Sequence, residues 1–286
     1  MLVIVGPTAS GKSGLALWAA KKYNGELICA DSRTVYTGMD IGTAKPGRED
    51  QMTIPHWGLD LCEPGQRFTV AAFKKYAVGI VADIQNRGKL PILVGGTGLY
   101  IDGVLYDFDF FGEDMDTAKR AELEELTTEQ LQAKIKNSGY GMPENVRNRR
   151  HLVRMIEREG KMGSRNHDIT QDVLLIGLMP SDEILKDHIA DRAEFMFKRG
   201  IVEETRQLIN KYGRKAVTNT AGIVYRVVMR LIDGEITQEQ AKELFKTADW
   251  QYARRQKTWF RRDPHINWFS TPQEAQKFIE NTLLNT

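Results

Sequence analysis

The apolar run Leu2–Val5 leads directly into Gly6-Pro7-Thr8-Ala9-Ser10-Gly11-Lys12-Ser13, a stretch that fits G-x-x-x-x-G-K-[ST]. This motif constrains the fold because it works in one setting, the turn from the end of a buried strand into the start of a helix. Its glycines let backbone N–H groups close around phosphate oxygens, and the helix contributes its positive end. Within it, Lys12 supplies a point charge to the terminal phosphate and the Ser13 hydroxyl is a natural Mg2+ ligand. Gly6, Pro7, Thr8, Ala9, Ser10, Gly11, Lys12 and Ser13 are therefore expected to cradle phosphate, with Ser13 on the metal.

Two further apolar runs, Glu26–Ala30 and Leu90–Val94, are each followed by small or acidic residues and then by helical character. Such alternation predicts parallel strands joined by helical crossovers. An amphipathic helix is expected from Thr69 to Arg87, and the Gly/Pro-rich stretch Gly38 to Pro55 reads as a long functional loop. Val173–Leu178 returns the chain to the sheet. A helix opening at Thr237-x-x-Gln240 runs towards Arg262, and His265–Phe269 supplies a last short strand.

Between these parts the character changes. Asp107, Asp109, Glu113, Asp114 and Asp116 lead into a Glu-rich helical segment with a capping-box candidate at Thr127-x-x-Gln130 and a stop at Gly139/Gly141. The sign then reverses through Arg147, Arg149, Arg150, Arg154, Arg158, Lys161 and Arg165. The expected architecture is α/β, a P-loop NTPase-like parallel sheet flanked by helices, with residues 1–112 and 168–286 as the core and 113–167 as a helical insertion. A length of 286 residues suits that arrangement.

Bulk charge does not identify a partner, since the formal net charge is only +2. Cys29 and Cys62 lack zinc-site spacing, and the five histidines lack ligand spacing, so neither structural zinc nor a disulfide framework is expected. Tyr23, Phe73, Phe195, Phe197 and Trp250 read as packing residues. No apolar stretch approaches a membrane span. The chain is expected to be soluble, cytoplasmic and monomeric.

A P-loop alone points to ATP or GTP chemistry. Here, however, Leu90–Val94 ends in Gly95-Gly96-Thr97-Gly98 without a metal-holding carboxylate, and the acid sits instead at Asp31, directly after Leu27–Ala30. At this point the motifs resemble one family. Gly6–Ser13, Asp31-Ser32, Gly38-Met-Asp-Ile-Gly-Thr-Ala-Lys-Pro46, Leu93-Val-Gly-Gly-Thr97 and Tyr252-Ala-Arg-Arg-Gln-Lys-Thr-Trp-Phe-Arg261 are similar, in order, to those of the tRNA dimethylallyltransferases.

The resemblance implies transfer of a dimethylallyl group from dimethylallyl diphosphate to the exocyclic amine of the adenine 3′ to a tRNA anticodon. It implies Asp31 as general base, Thr97 placing the target nucleotide, and Lys12 with Mg2+ on the leaving diphosphate. The anticodon stem-loop would meet Asp31, Ser32, Arg33, Thr34, Thr97, Arg120 and the segment Arg150, His151, Leu152, Val153, Arg154. In the C-terminal helix Arg254, Lys257 and Arg261 recur at i, i+3 and i+7, and Arg254 is expected on phosphate. His151, where arginine is usual, and Ile223-Val224-Tyr225-Arg226, where the second residue is usually glycine, depart from the pattern. Three other readings stay open: an adenylate prenyltransferase, a small-molecule kinase, and a non-catalytic RNA-binding module. The arginine run also admits a bland reading, a solvated helix face.

Overall fold

In the computed structural model, which describes residues 1–108, 117–161, 169, 172–220 and 222–283, the N-terminal strand, turn and helix take the form the motif demands. Strand β1 (Leu2–Val5) turns into α1 (Lys12–Lys22), which returns to β2 (Gly25–Cys29). There follow α2 (Arg48–Thr53), β3 (His56–Trp57), α3 (Val70–Asn86), β4 (Leu90–Gly95) and α4 (Gly98–Leu105). After the insertion helices α5 (Thr117–Glu125), α6 (Thr128–Asn137) and α7 (Arg149–Glu157), the chain re-enters the sheet at β5 (Leu174–Leu178). It ends with α8 (Asp182–Lys198), α9 (Ile201–Tyr212), α10 (Arg214–Thr220), α11 (Ile223–Ile232), α12 (Gln238–Phe260), β6 (Asn267–Phe269) and α13 (Pro272–Leu283).

The chain divides into two compact units, one of Met1–Leu105 with Gln171–Thr286 and the other of Tyr106–Thr170. In the first, the strands form one parallel sheet in the order β3-β2-β4-β1-β5-β6. The central strands are covered on both faces, which is why they read as continuous apolar runs. One face, Leu2, Ile4, Leu27, Ile92, Val94, Ile176 and Leu178, packs under Leu15, Ala16, Ala19 and Ala20 of α1 and Ala275 and Ile279 of α13. On the other side, Phe73 of α3 stacks on Tyr100 of α4 with ring centroids 4.2 Å apart.

The expected helix starts form for the expected reasons. Thr69 caps α3, accepting from Ala72 N at 3.1 Å, and both capping boxes close: Thr127 with Gln130, and Thr237 with Gln240. The structure adds one short strand and corrects one expectation. Strand β3 was hidden because it is only two residues long and takes its pairing from Leu27 and Ile28. Helix α12 runs towards Arg262 as expected and ends at Phe260. Phe195 is 57% exposed, beneath the Arg199 guanidinium, and is not a packing residue.

The second unit has its own core: Leu123, Leu131, Ile135, Leu152, Val153, Met155 and Ile156, flanked by Leu126, Tyr140 and Met142. Arg149 donates to the carbonyls of Leu126 and Glu124, tying α7 to the turn between α5 and α6. The sequence-derived boundaries at 113 and 167, and Asp109, Glu113, Asp114, Asp116 and Arg165, lie outside the described residues. No helix among the described residues is long and apolar enough to cross a membrane.

Candidate active site

Three loops meet at one edge of the sheet because β2, β4 and β1 are neighbours and run parallel. The loop after β1 is Gly6–Ser13, the residue two beyond β2 is Asp31, and the turn after β4 carries Thr97. Backbone bonds hold the last two together: Ala30 N donates to Val94 O at 2.8 Å, and Thr97 N to Ala30 O at 3.3 Å. The Thr97 hydroxyl accepts from Ser32 N at 3.0 Å, while its carbonyl starts α4. The side chain is thus committed to the Asp31 loop, and the main chain does the helix capping.

A cavity of about 270 Å³ opens here, lined by Thr8, Lys12, Asp31, Arg33, Gly42, Thr43, Arg192, Asp249, Tyr252 and Arg255, with Ile223, Val224 and Tyr225 among its apolar wall. Asp31 Oδ1 accepts from Arg33 N at 2.8 Å, which orients the carboxylate. Lys12 Nζ donates to Pro7 O at 3.0 Å. Burial lowers its pKa to about 8, with Arg192 pushing the same way and Asp31 and Asp249 opposing. Burial raises the Tyr252 phenol to about 12; Asp31 adds to the rise and a hydrogen bond with Thr97 opposes it.

The phosphate loop is gripped from behind by two helices. Gly11 sits at φ 88°, a left-handed conformation that glycine adopts without penalty, and so turns the chain into α1. From α8, His188 Nδ1 lies 2.9 Å from Ala9 O and Arg192 Nη1 hydrogen-bonds Thr8 Oγ1. From α12, the buried Gln256 side chain accepts from Thr8 N at 2.8 Å and donates to Gly96 O at 2.9 Å. Gly96 is glycine because a β-carbon there would overlap Gln256 Nε2. A further anchor fixes the Gly38–Pro46 loop: the Glu204 carboxylate accepts from the N–H groups of Asp40, Ile41 and Gly42 and from the Tyr225 hydroxyl, at 2.7 to 3.1 Å.

The structure therefore brings together Thr8, Lys12, Asp31 and Arg33, and sets Thr97 and Ser32 beside them. It separates others. Arg254 is exposed and does not line the cavity; Arg255, one residue on, does. Lys257, expected on the same face as Arg254, is buried and paired with Asp182. Thr34 is buried and donates to Asp31 O, so it shapes the loop. In the second unit, Leu152 and Val153 belong to the core, whereas Arg150, His151 and Arg154 lie on the exposed face of α7. Arg120 pairs with Glu124 at 2.8 Å and Glu157 at 3.6 Å. Sequence reasoning missed Arg192, Asp249 and Gln256. Gln256 lay inside a quoted motif, but Arg192 and Asp249 carry no local signal, since only the packing of α8 against α12 aims them at the loop.

A parallel sheet with a glycine-rich loop opening onto a cationic cavity defines an α/β protein of P-loop type. The chain belongs to the IPP transferase family, whose model matches residues 34–263. A tRNA dimethylallyltransferase of Staphylococcus carnosus is 36% identical over 98% of this chain and 93% of its own length. The crystal structure of the full-length tRNA isopentenylpyrophosphate transferase of Bacillus halodurans matches with a TM-score of 0.73 at 32% identity, covering 99% of this chain and 96% of the other. A eukaryotic dimethylallyltransferase acting on tRNA shares the fold, with a TM-score of 0.81 at 24% identity over 100% of this chain and 79% of that one.

Proposed function

We propose that this chain transfers a dimethylallyl group from dimethylallyl diphosphate to the exocyclic N6 amine of the adenosine 3′-adjacent to the anticodon in tRNA, releasing diphosphate. The observation that carries this reading is one cavity in which the phosphate loop and Arg192 meet both Asp31 and an apolar wall of Ile223, Val224 and Tyr225. Such a cavity suits a donor with a charged head and a short branched hydrocarbon tail.

The adenine amine is a weak nucleophile because its lone pair is delocalised into the ring. Asp31 takes its proton as the nitrogen–carbon bond forms, and the carbon–oxygen bond to diphosphate breaks with its electron pair leaving on oxygen. Negative charge grows on that leaving group, so Lys12, Arg192 and the loop N–H groups stabilise it most in the transition state. Thr97, held between Ser32 N and Tyr252, places the acceptor beside Asp31.

Among the described residues no cluster of three His, Cys, Asp or Glu side chains is arranged for a metal. A single hydroxyl donor beside phosphate oxygens suits Mg2+, which keeps most of its waters and takes one or two protein ligands plus phosphate oxygens. The exposed Ser13 hydroxyl at the start of α1 would hold it, and bound Mg2+ would neutralise charge on the diphosphate. Arg150, His151 and Arg154 would meet the tRNA backbone, with the insertion 113–167 as the tRNA-binding subdomain, and the protein would act as a monomer in the cytoplasm. Incubation with radiolabelled dimethylallyl diphosphate and either tRNA or AMP tests the reading. Label in tRNA is the expected result; label in AMP alone makes the chain an adenylate prenyltransferase, and turnover of ATP alone makes it a kinase.

A further inference from the structure

Two carboxylates line the cavity, and the reaction uses one of them, Asp31. The other, Asp249 of α12, has no role in that chemistry and sits where an anionic donor is least compatible with it. Its side chain is 15% exposed, and its Oδ2 lies 3.1 Å from Arg192 Nη1. Arg192 in turn reaches Thr8 of the phosphate loop. Burial pushes the Asp249 carboxyl up, while Arg192 and then Lys12 pull it back. A diphosphate bound to Lys12 and Arg192 must therefore share both cations with a fixed negative charge.

We propose that Asp249 is a resident counter-ion of Arg192 that competes with the diphosphate and so speeds its release once transfer is complete. The inference rests on the reading of this cavity as the donor site. Two features separate it from a mere orienting role. Arg192 already has a second anchor in the Thr8 hydroxyl, so its position does not depend on Asp249 alone. An asparagine at 249 keeps an oxygen that accepts from Arg192 while removing the charge, so the substitution isolates electrostatics from geometry.

The test measures binding of inorganic pyrophosphate, in the presence of Mg2+, to the wild-type chain and to Asp249→Asn by titration calorimetry, together with product inhibition of transfer. Asp249→Asn is expected to bind pyrophosphate on the order of tenfold more tightly, through slower dissociation, as loss of a like charge in a partly desolvated site requires. Product inhibition should strengthen in step, and kcat should fall as release becomes limiting. Equal or weaker binding by Asp249→Asn overturns the proposal and makes Asp249 an orienting residue. Asp249→Ser serves as a second neutral substitution, and unfolding curves confirm that each variant is folded. If the wild-type chain neither binds pyrophosphate nor is inhibited by it, the donor-site reading itself fails, and this proposal with it.

Discussion

Gln256 gives the most exacting test of how the site is built, because one side chain holds two loops by both ends of its amide. It is 5% exposed, accepts from Thr8 N at 2.8 Å and donates to Gly96 O at 2.9 Å. Leucine at this position keeps the approximate volume but strands both main-chain groups. Each stranded group costs about 1–3 kcal/mol, and water entering from the Thr8 side relieves part of that, so Gln256→Leu is expected to destabilise by about 2–4 kcal/mol. For a domain of this size the melting temperature should fall by roughly 5–15 °C. Release of the phosphate loop from the Thr97 turn should also misplace donor against acceptor, with kcat falling on the order of 10²-fold. Gln256→Glu separates the two bonds: it keeps an acceptor for Thr8 N but sets oxygen against Gly96 O, and should be no better than leucine. Thermal unfolding and single-turnover transfer with saturating tRNA measure both effects. A leucine variant that melts with wild type and transfers at a wild-type rate would refute the clamp.

Three further outcomes follow from the geometry. Asp31→Ala should lose transfer by about 10²-fold or more, the scale of general-base catalysis, while dimethylallyl diphosphate still binds; near wild-type single-turnover rates would remove Asp31 from the base role. Arg150→Ala and Arg154→Ala should raise the KM for tRNA and flatten its salt dependence, since both sit on the exposed face of α7, and an unchanged salt slope would return them to solvated-face residues. Glu26, buried in β2, is held at a pKa of about 2 by Arg87 first, then Lys89 and Trp57, against an ordinary value of 4.5. Its stabilising share is complete above pH 4.5 and is lost as pH falls through about 2, so the stability gap between wild type and Glu26→Gln, on the order of 2 kcal/mol at neutral pH, should narrow in acid; urea midpoints that keep a constant gap would contradict the assignment.

The sheet was legible because its strands are short apolar runs followed by obligatory turns, and β1 with its glycine loop announces itself within a few residues. Thr127 and Thr237 were legible for a related reason: a capping box is satisfied within four residues, so its chemistry is local. What could not be read depends on packing. Strand β3 exists only because β2 offers it a partner. The distinction between Arg254 and Arg255 turns on the rotation of α12 against α11 and α8, about 100° per residue, and a count of i, i+3 and i+7 leaves that rotation undetermined. Within α7, Leu152 and Val153 turned out to be core for the same reason, their neighbours Arg150 and Arg154 facing outward.

The residues that aim the site come from the far end of the chain. His188 and Arg192, four apart on α8, present one face to the phosphate loop, and Asp249, Tyr252 and Gln256 on α12 recur at helical spacing along another. Neither helix carries a phosphate motif, yet between them they fix Thr8, Ala9, Gly96 and the orientation of Arg192. A bare P-loop binds whatever phosphate fits its turn. In this chain, packing of α8 and α12 against that turn adds Arg192 and Asp249 to it, and Asp31, on the loop that the Thr97 hydroxyl holds through Ser32 N, lines the same cavity, so the groups around the phosphate loop are set by tertiary contacts rather than by the motif.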